Sequence, residues 1–220
     1  SLAVVFSFFF FFSVTTRLTN GFLFLIVTVI LSSAVDLCAI YINEHPFQFP
    51  VWFAYLANAI YYFIFTFFSQ AFYGCVKYSI SSNFVRSNFK ILRYYTPITI
   101  GELLIVSSPW THWIFYFDQY RVFHKGFAYP AIYIVAGIYF FSAIYKIIVY
   151  RKEVTVAQRI TVYFYSVACV AAVTIQAFRP SLIVMGFVAS VSTMMLFLSL
   201  VNPTNYVDKE MGSLNLKAFN

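Results

Sequence analysis

Residues 51–76 read "VWFAYLANAIYYFIFTFFSQAFYGCV" and contain no charged side chain. An α-helix needs roughly 20 mostly apolar residues to cross the roughly 30 Å of hydrocarbon in a bilayer, and this stretch is long enough. Trp52, near its start, suits the membrane–water interface, where amphipathic indole rings are common. The stretch therefore predicts a transmembrane helix and an integral membrane protein.

The whole chain has the composition of a membrane protein. Hydrophobic residues make up 62% of it and charged residues only 10%, which is too little charge for the surface of a water-soluble domain. We divided the chain where charged residues or prolines interrupt the apolar runs. This gives seven apolar segments: 2–16, 21–42, 51–76, 91–106, 129–150, 160–178 and 182–201. We predict an all-α integral membrane protein in which residues 1–203 form a seven-helix transmembrane bundle.

The distribution of basic residues predicts the orientation of this bundle. Lys and Arg in short loops stay on the cytoplasmic side. If the connections alternate between the two sides, only Arg121, Lys125 and Arg179 of the 14 basic residues fall on the poorly charged side. We therefore expect the N-terminus outside and the C-terminus in the cytoplasm. The net charge of +7 then reflects topology and contact with anionic membrane lipids, and we expect no nucleic-acid partner.

The longest predicted external connection is residues 107–127, "SSPWTHWIFYFDQYRVFHKGF". Its apolar residues flank a polar break at 118–121, which predicts a short β-hairpin on the outer face. Such a hairpin is either a structural cap whose aromatic side docks on the bundle or a lid over a ligand. His45, His112 and His124 are also predicted to be external, but their spacing matches no metal-ligand pattern, and we expect neither metal nor cofactor.

Two acidic residues, Asp36 and Glu102, fall in the outer halves of predicted membrane segments. An ionisable residue at bilayer depth is energetically costly, so it requires a partner or a function. Asp36 continues a polar stripe with Thr28 and Ser32, at a spacing of four residues. The third segment carries a second stripe at the same spacing: Asn58, Tyr62, Thr66 and Gln70.

These polar residues permit two interpretations. In the first, they converge on an outward-facing cavity under the hairpin that accepts a small polar or cationic ligand. The residues predicted to contact the ligand are Asp36, Asn58, Tyr62, Glu102, Gln176, Trp110 and His112. In the second, they form interhelical hydrogen bonds that stabilise the bundle by about 1 kcal/mol each.

The end of the chain carries a resemblance to a known family. Residues 207–220, "VDKEMGSLNLKAFN", are similar to the opening of a GGDEF domain, whose first motif commonly runs D-x-L-T-G-L-x-N-R-x-A-F. The matching positions are Asp208, Gly212, Asn215, Ala218 and Phe219. The Thr, Leu and Arg of the motif are replaced by Met211, Ser213 and Leu216. The preceding "NPTNYVDK" and the loop "SSPWTHWIFYFDQYRVFHKG" also resemble the linker and the outer loop of membrane proteins that carry such domains in Firmicutes-type bacteria.

The resemblance implies a multi-pass sensor in the bacterial plasma membrane. Residues 204–220 would be the linker and the first residues of a cytoplasmic GGDEF-like domain, and the last helix would relay the signal to it. The relay residues would be Val201, Asn202, Pro203 and Asp208. Active members make cyclic di-GMP from two GTP in a loop that would lie beyond Asn220, so we expect this chain not to be an enzyme. Active GGDEF domains work in pairs, so a homodimer is possible by analogy.

A small transporter or channel for an ion or metabolite is the alternative function, because a bundle of helices with buried acids also suits passage across a membrane. The sequence shows no convincing internal repeat and few acidic residues in the predicted inner half. These two features favour the sensor.

Overall fold

The structure, a computed structural model, describes residues 17–80, 88–178 and 184–201. Within these ranges the chain is mostly helical. The helices are α1 (Arg17–Glu44), α2 (Val51–Ile80), α3 (Asn88–Thr111), α4 (Pro130–Val149), α5 (Val156–Phe178) and α6 (Val184–Leu196). A π-helical turn, Phe197–Val201, continues α6. Two strands, β1 (Phe115–Phe117) and β2 (Phe123–Lys125), lie between α3 and α4.

Each predicted apolar segment from 21–42 onward overlaps one of these helices, and segment 2–16 lies outside the described residues. By length and composition, four stretches are able to cross a membrane: Asn20–Glu44, Val51–Ile80, Pro130–Val149 and Val156–Ile175. The apolar stretch Val184–Ser199 is shorter. The helical architecture is thus confirmed, and the four stretches are candidate membrane spans; the seven-helix count and the orientation stay predictions.

Helix α2 occupies the centre of the bundle, where it packs against α1, α3 and α4. Helix α6 packs against α1 and α5. Large aromatic side chains fill the core between α2 and α5: the ring centroids of Phe72 and Tyr165 are 4.2 Å apart, and those of Phe68 and Tyr165 are 6.2 Å apart. Since many apolar side chains on the outer surfaces of the helices are exposed, the bundle is suited to a lipid environment.

The predicted β-hairpin is present. Its strands are antiparallel, and Phe115 pairs with Lys125, Tyr116 with His124, and Phe117 with Phe123. Because successive side chains of a strand point to opposite faces, Phe115 and Phe117 turn toward the bundle while Tyr116 lies on the other face. The backbone N–H of Phe117 donates to the hydroxyl of Tyr55 on α2 at 3.2 Å. The hairpin therefore docks its aromatic side on the bundle, as the cap interpretation predicts.

Candidate functional site

Asp36, on α1, is only 4% exposed. Its carboxylate lies within electrostatic range of the hydroxyls of Tyr61, on α2, and Tyr133, on α4. Thr28, two turns earlier on the same face, is also buried, but its hydroxyl donates to the carbonyl of Leu25 in its own helix at 2.8 Å. The stripe therefore points into the bundle as predicted, and Asp36 is the member that faces other helices.

Tyr61 and Tyr133 belong to a chain of four tyrosines in mutual ring contact, from α2 and from the start of α4, which we call the tyrosine cluster: Tyr61, Tyr62, Tyr129 and Tyr133. The hydroxyls of Tyr129 and Tyr133 are 2.7 Å apart and form a hydrogen bond, and the ring centroids of Tyr62 and Tyr129 are 5.8 Å apart. Several phenol hydroxyls and one carboxylate thus share a region that is largely shielded from the surroundings. Such a group is able to bind a ligand through charge, hydrogen bonds and ring faces.

The hairpin packs directly on the tyrosine cluster. The ring of Phe115, which is fully buried, lies 5.6 Å from the ring of Tyr62 and 5.7 Å from that of Tyr55. On β2, the Lys125 ammonium nitrogen lies 4.9 Å from the centre of the Tyr129 ring. A change in the docking of the hairpin would therefore change the contacts of the cluster.

Three local interactions fix the start and the turn of the hairpin. The Ser108 hydroxyl, near the end of α3, accepts hydrogen bonds from the N–H groups of Ile114 and Phe115, both at 3.1 Å. In the turn, Asp118 Oδ1 accepts from the N–H groups of Tyr120 and Val122 at 2.8 and 2.9 Å. Arg121 has a φ of 61° and donates to the carbonyl of Phe49 at 3.2 Å, which ties the turn to the α1–α2 loop.

The Asp118 carboxylate also contacts the ring of His124, with Oδ2 and Nε2 3.0 Å apart. Hydrogen bonds from the backbone of Val122 and from His124 hold the pKa of Asp118 below its ordinary value of 3.8. The charge of this carboxylate thus supports the conformation of the turn.

Gly126 ends the hairpin at a position that only glycine fits. A Cβ atom there would lie 2.2 Å from the carbonyl oxygen of Trp113 and 2.4 Å from that of His112. The close approach allows the Gly126 N–H to donate to Ile114 at 2.8 Å. The close packing of Gly126 against the residues that follow α3 therefore depends on the absence of a side chain.

Asn58, on α2, is buried and forms a reciprocal amide pair with Asn43 on α1. Asn43 donates to Asn58 at 3.1 Å, and Asn58 donates to Asn43 at 2.9 Å. Asn58 Nδ2 also lies 2.9 Å from the carbonyl of Ala54. These bonds match the interpretation of Asn58 as an interhelical contact, and its role as a ligand contact stays a prediction.

Glu102, on α3, is half-buried and hydrogen-bonds through Oε1 to the hydroxyl of Thr66, one turn along α2 from Tyr62. Its other oxygen, Oε2, is buried without a hydrogen-bond partner among the described residues. Glu102 thus forms a polar contact between α2 and α3.

The remaining predicted site residues lie apart from the cluster or outside the described residues. Trp110 is 78% exposed at the end of α3, and His112, with a φ of 58°, has an exposed ring whose centroid lies 5.3 Å from that of Tyr116. Gln176 lies on α5, but its side chain falls outside the described part of the chain, as do Asn202, Pro203 and Asp208. Val201 is the last residue of the π-helical turn.

Of the predicted ligand contacts, Asp36 lies within electrostatic range of Tyr61 and Tyr133, and Tyr62 packs against Tyr61 and Tyr129. Sequence reasoning missed Tyr61, Tyr129 and Tyr133. Tyr129 and Tyr133 are four residues apart at the start of a predicted helix, which places both on one face. That spacing was the sequence feature from which a polar face at the start of α4 could have been predicted.

Comparison with protein-family models, with curated proteins and with solved structures finds no match to this chain. The resemblance of its tail and outer loop to GGDEF-linked membrane proteins therefore stays a prediction.

Proposed function

We propose that this protein is the membrane sensor of a bacterial signalling protein. It binds a small ligand or lipid in its outer half and relays the bound state through its last helix to a cytoplasmic GGDEF-type output. The observation that carries this proposal is the buried Asp36 within the tyrosine cluster, directly beneath the hairpin. A carboxylate at this depth is costly, and a ligand that meets it offers a reason for its presence.

The proposed orientation places the hairpin outside the cell in a seven-helix bundle. Basic residues gather at the opposite end, on the last turns of α2 and α4, in the α4–α5 loop and in the first turn of α5: Lys77, Lys146, Arg151, Lys152 and Arg159. Because cytoplasmic loops are enriched in Lys and Arg, this end is the cytoplasmic one in our proposal. The ligand then approaches from the cell exterior.

Helix α1 offers a physical route from the cluster to α6. It carries Asp36, and one turn away Ser33 lies against α6 so closely that a Cβ on Gly186 would be 2.8 Å from the Ser33 hydroxyl oxygen. Near the other end of α1, the ring of Phe22 stacks on that of Phe197 in the π-helical turn, with centroids 5.4 Å apart. A ligand that favours one position of α1 would therefore shift α6 by a population shift.

A perturbation of the hairpin tests this relay without knowledge of the ligand. Gly126→Ala should undock the hairpin, and hydrogen–deuterium exchange at Phe197–Val201 is then compared with that of the wild type in lipid nanodiscs. A sensor predicts altered exchange at this turn and unchanged exchange in the core of α4. Gly137→Ala serves as the control, since a Cβ there meets no atom closer than 3.9 Å. Unaltered exchange at Phe197–Val201 in Gly126→Ala would contradict the relay.

A transporter or channel is the second candidate function, and one observation favours it. All four residues of the α2 stripe are buried: Asn58, Tyr62, Thr66 and Gln70. They extend over about 18 Å along the helix axis, and the side-chain nitrogen of Gln70 has no hydrogen-bond partner among the described residues. Uptake of an ion or metabolite by proteoliposomes, lost in Gln70→Leu, would favour this function over the sensor.

A further inference from the structure

We propose that Asp36 and the tyrosine cluster bind a small organic cation, with an ammonium group as the part that is recognised. This inference deepens the proposed function, on which it rests, by naming the chemical class of the ligand. It is drawn from the charge of Asp36, from the arrangement of the rings and from the position of Lys125.

The charge of Asp36 selects a cation. The Asp36 carboxyl group is 4% exposed, and in its ionised form it attracts positive charge strongly, because few water molecules screen it. A small ammonium ligand offsets the charge, and one that carries N–H groups also donates hydrogen bonds to the carboxylate. An anionic ligand would meet repulsion at the same position.

Edge-to-face contacts join the rings of the cluster. The Tyr61 and Tyr62 planes meet at 63°, those of Tyr62 and Tyr129 at 87°, and those of Tyr129 and Tyr133 at 77°. Because these ring planes are far from parallel, the ring faces of the cluster point in several directions. Cation–π attraction to several ring faces is the mode by which aromatic cages bind quaternary ammonium groups.

Lys125 is an independent observation that the cluster accepts an ammonium group. Its Nζ atom lies 4.9 Å from the centre of the Tyr129 ring, within the range of a cation–π interaction. Lys125 belongs to β2 of the hairpin, so this tethered cation also links the hairpin to the cluster. In the proposed cycle, the ammonium group of the ligand competes with Lys125 for the ring, and the hairpin responds.

The donor set of the cluster argues against a metal ion as the ligand. Hard divalent cations such as Ca²⁺ take six to eight oxygen ligands, usually from several carboxylates. The cluster offers one carboxylate and neutral phenols. An organic cation uses the ring faces, which a hard metal ion would leave unused.

The experiment measures binding of choline to the purified chain in nanodiscs by isothermal titration calorimetry. Its neutral carbon analogue, 3,3-dimethylbutan-1-ol, has the same shape and is measured in parallel. We expect choline to bind about tenfold or more tightly than the analogue, and Asp36→Asn to weaken choline binding by about tenfold or more. Glu153→Gln, which removes an exposed carboxylate in the α4–α5 loop, is the matched control and should bind choline as the wild type does.

Two further variants and one control variant keep the test decisive if Asp36→Asn does not fold. Tyr129→Leu removes one ring of the cluster and should weaken choline binding, whereas Tyr145→Phe, on the exposed side of α4, should not. Lys125→Gln removes the competing cation and should tighten choline binding. Equal binding of choline and its analogue, wild-type affinity in Asp36→Asn or Tyr129→Leu, or unchanged or weaker binding in Lys125→Gln would overturn the proposal.

Failure of this inference is distinguishable from failure of the sensor. If Gly126→Ala alters exchange at Phe197–Val201 but choline does not bind, the sensor stands and recognises another class of ligand. If choline binds through Asp36 but the exchange is unaltered, the cation site stands without the relay.

Discussion

The two halves of α2 are buried in different ways. In the half nearest the hairpin, Asn58 and Tyr55 make hydrogen bonds to other elements, and the surrounding rings carry hydroxyls. In the other half, Phe68 and Phe72 pack against Phe140 and Tyr165 through stacked, tilted and edge-to-face rings, with centroids 4.2 to 6.4 Å apart. One helix therefore joins a polar region to a close-packed aromatic region.

This difference bears on which half can respond to a ligand. Close-packed side chains in low-energy rotamers resist displacement, because any shift opens voids that lose dispersion contacts. Hydroxyls and amides exchange hydrogen-bond partners at smaller cost, provided that each group remains paired. We therefore expect the hairpin half to change conformation and the aromatic half to act as the rigid support.

The largest expected effect lies in the aromatic half. Phe72→Ala removes a fully buried ring that contacts Phe140 and Tyr165, and should lower the free energy of unfolding by roughly 3 kcal/mol. Denaturation in mixed micelles measures this loss. Phe63→Ala, on the exposed side of the same helix, is the control and should cost less than about 1 kcal/mol. Equal losses in the two variants would contradict the assignment of the rigid region.

The next largest effect concerns the hairpin. Gly126→Ala forces a methyl group against two carbonyl oxygens and should destabilise the protein by about 2 kcal/mol. The loss of protection should be greatest for the hairpin amides in hydrogen–deuterium exchange. In Gly137→Ala the new methyl group meets only ordinary contacts, so stability should stay the same or rise slightly. A stable Gly126→Ala protein with a protected hairpin would show that the close packing at Gly126 is not required.

The amide pair between α1 and α2 should contribute less. A double-mutant cycle with Asn43→Ala and Asn58→Ala should give a coupling energy of about 1 kcal/mol, because each amide loses its partner in either single variant. Thermal unfolding of the four proteins provides the values. Strictly additive losses would mean that the pair does not hold the outer half together.

The smallest effect is expected at Asp118, in the turn of the hairpin. A carboxylate whose pKa is lowered by folding stabilises the fold above its ordinary pKa, and this contribution is lost as the pH falls through the folded-state pKa. Protection of the Tyr120 and Val122 amides should therefore be constant near neutral pH and decrease below pH 3.8. In Asp118→Asn, which keeps an acceptor oxygen without the titrating charge, this pH dependence should disappear. Persistence of the dependence in the variant would assign it to another group.

Much of the fold follows from the order of apolar and polar residues. The absence of charge in residues 51–76 predicts α2, and the alternation around 118–121 predicts the hairpin with its aromatic side inward. The helices extend past the predicted apolar limits, as when α2 continues to Ile80. Backbone hydrogen bonds continue the helix beyond the apolar stretch, and hydropathy does not detect them.

The candidate site was less predictable because its contacts cross between elements. Helical spacing predicts that Asn58 points inward, but the partner Asn43 lies 15 residues away on another helix. Likewise, the burial of Asp36 is predictable, whereas its proximity to Tyr133 depends on how α1 and α4 pack. Trp110 and Asp36 were both predicted at the outer end, and only the packed structure separates the exposed residue from the buried one.

The π-helical turn Phe197–Val201 gives the end of α6 a wider turn than a regular α-helix has. A π turn holds one more residue than the α turn that it replaces. If this turn tightened into α geometry, the helix terminus at Val201 would swivel by about 100° around its axis, the angle that one residue subtends in an α-helix. In the proposed relay, the signal would then be a rotation of the end of α6 about the helix axis, without translation of the helix along that axis.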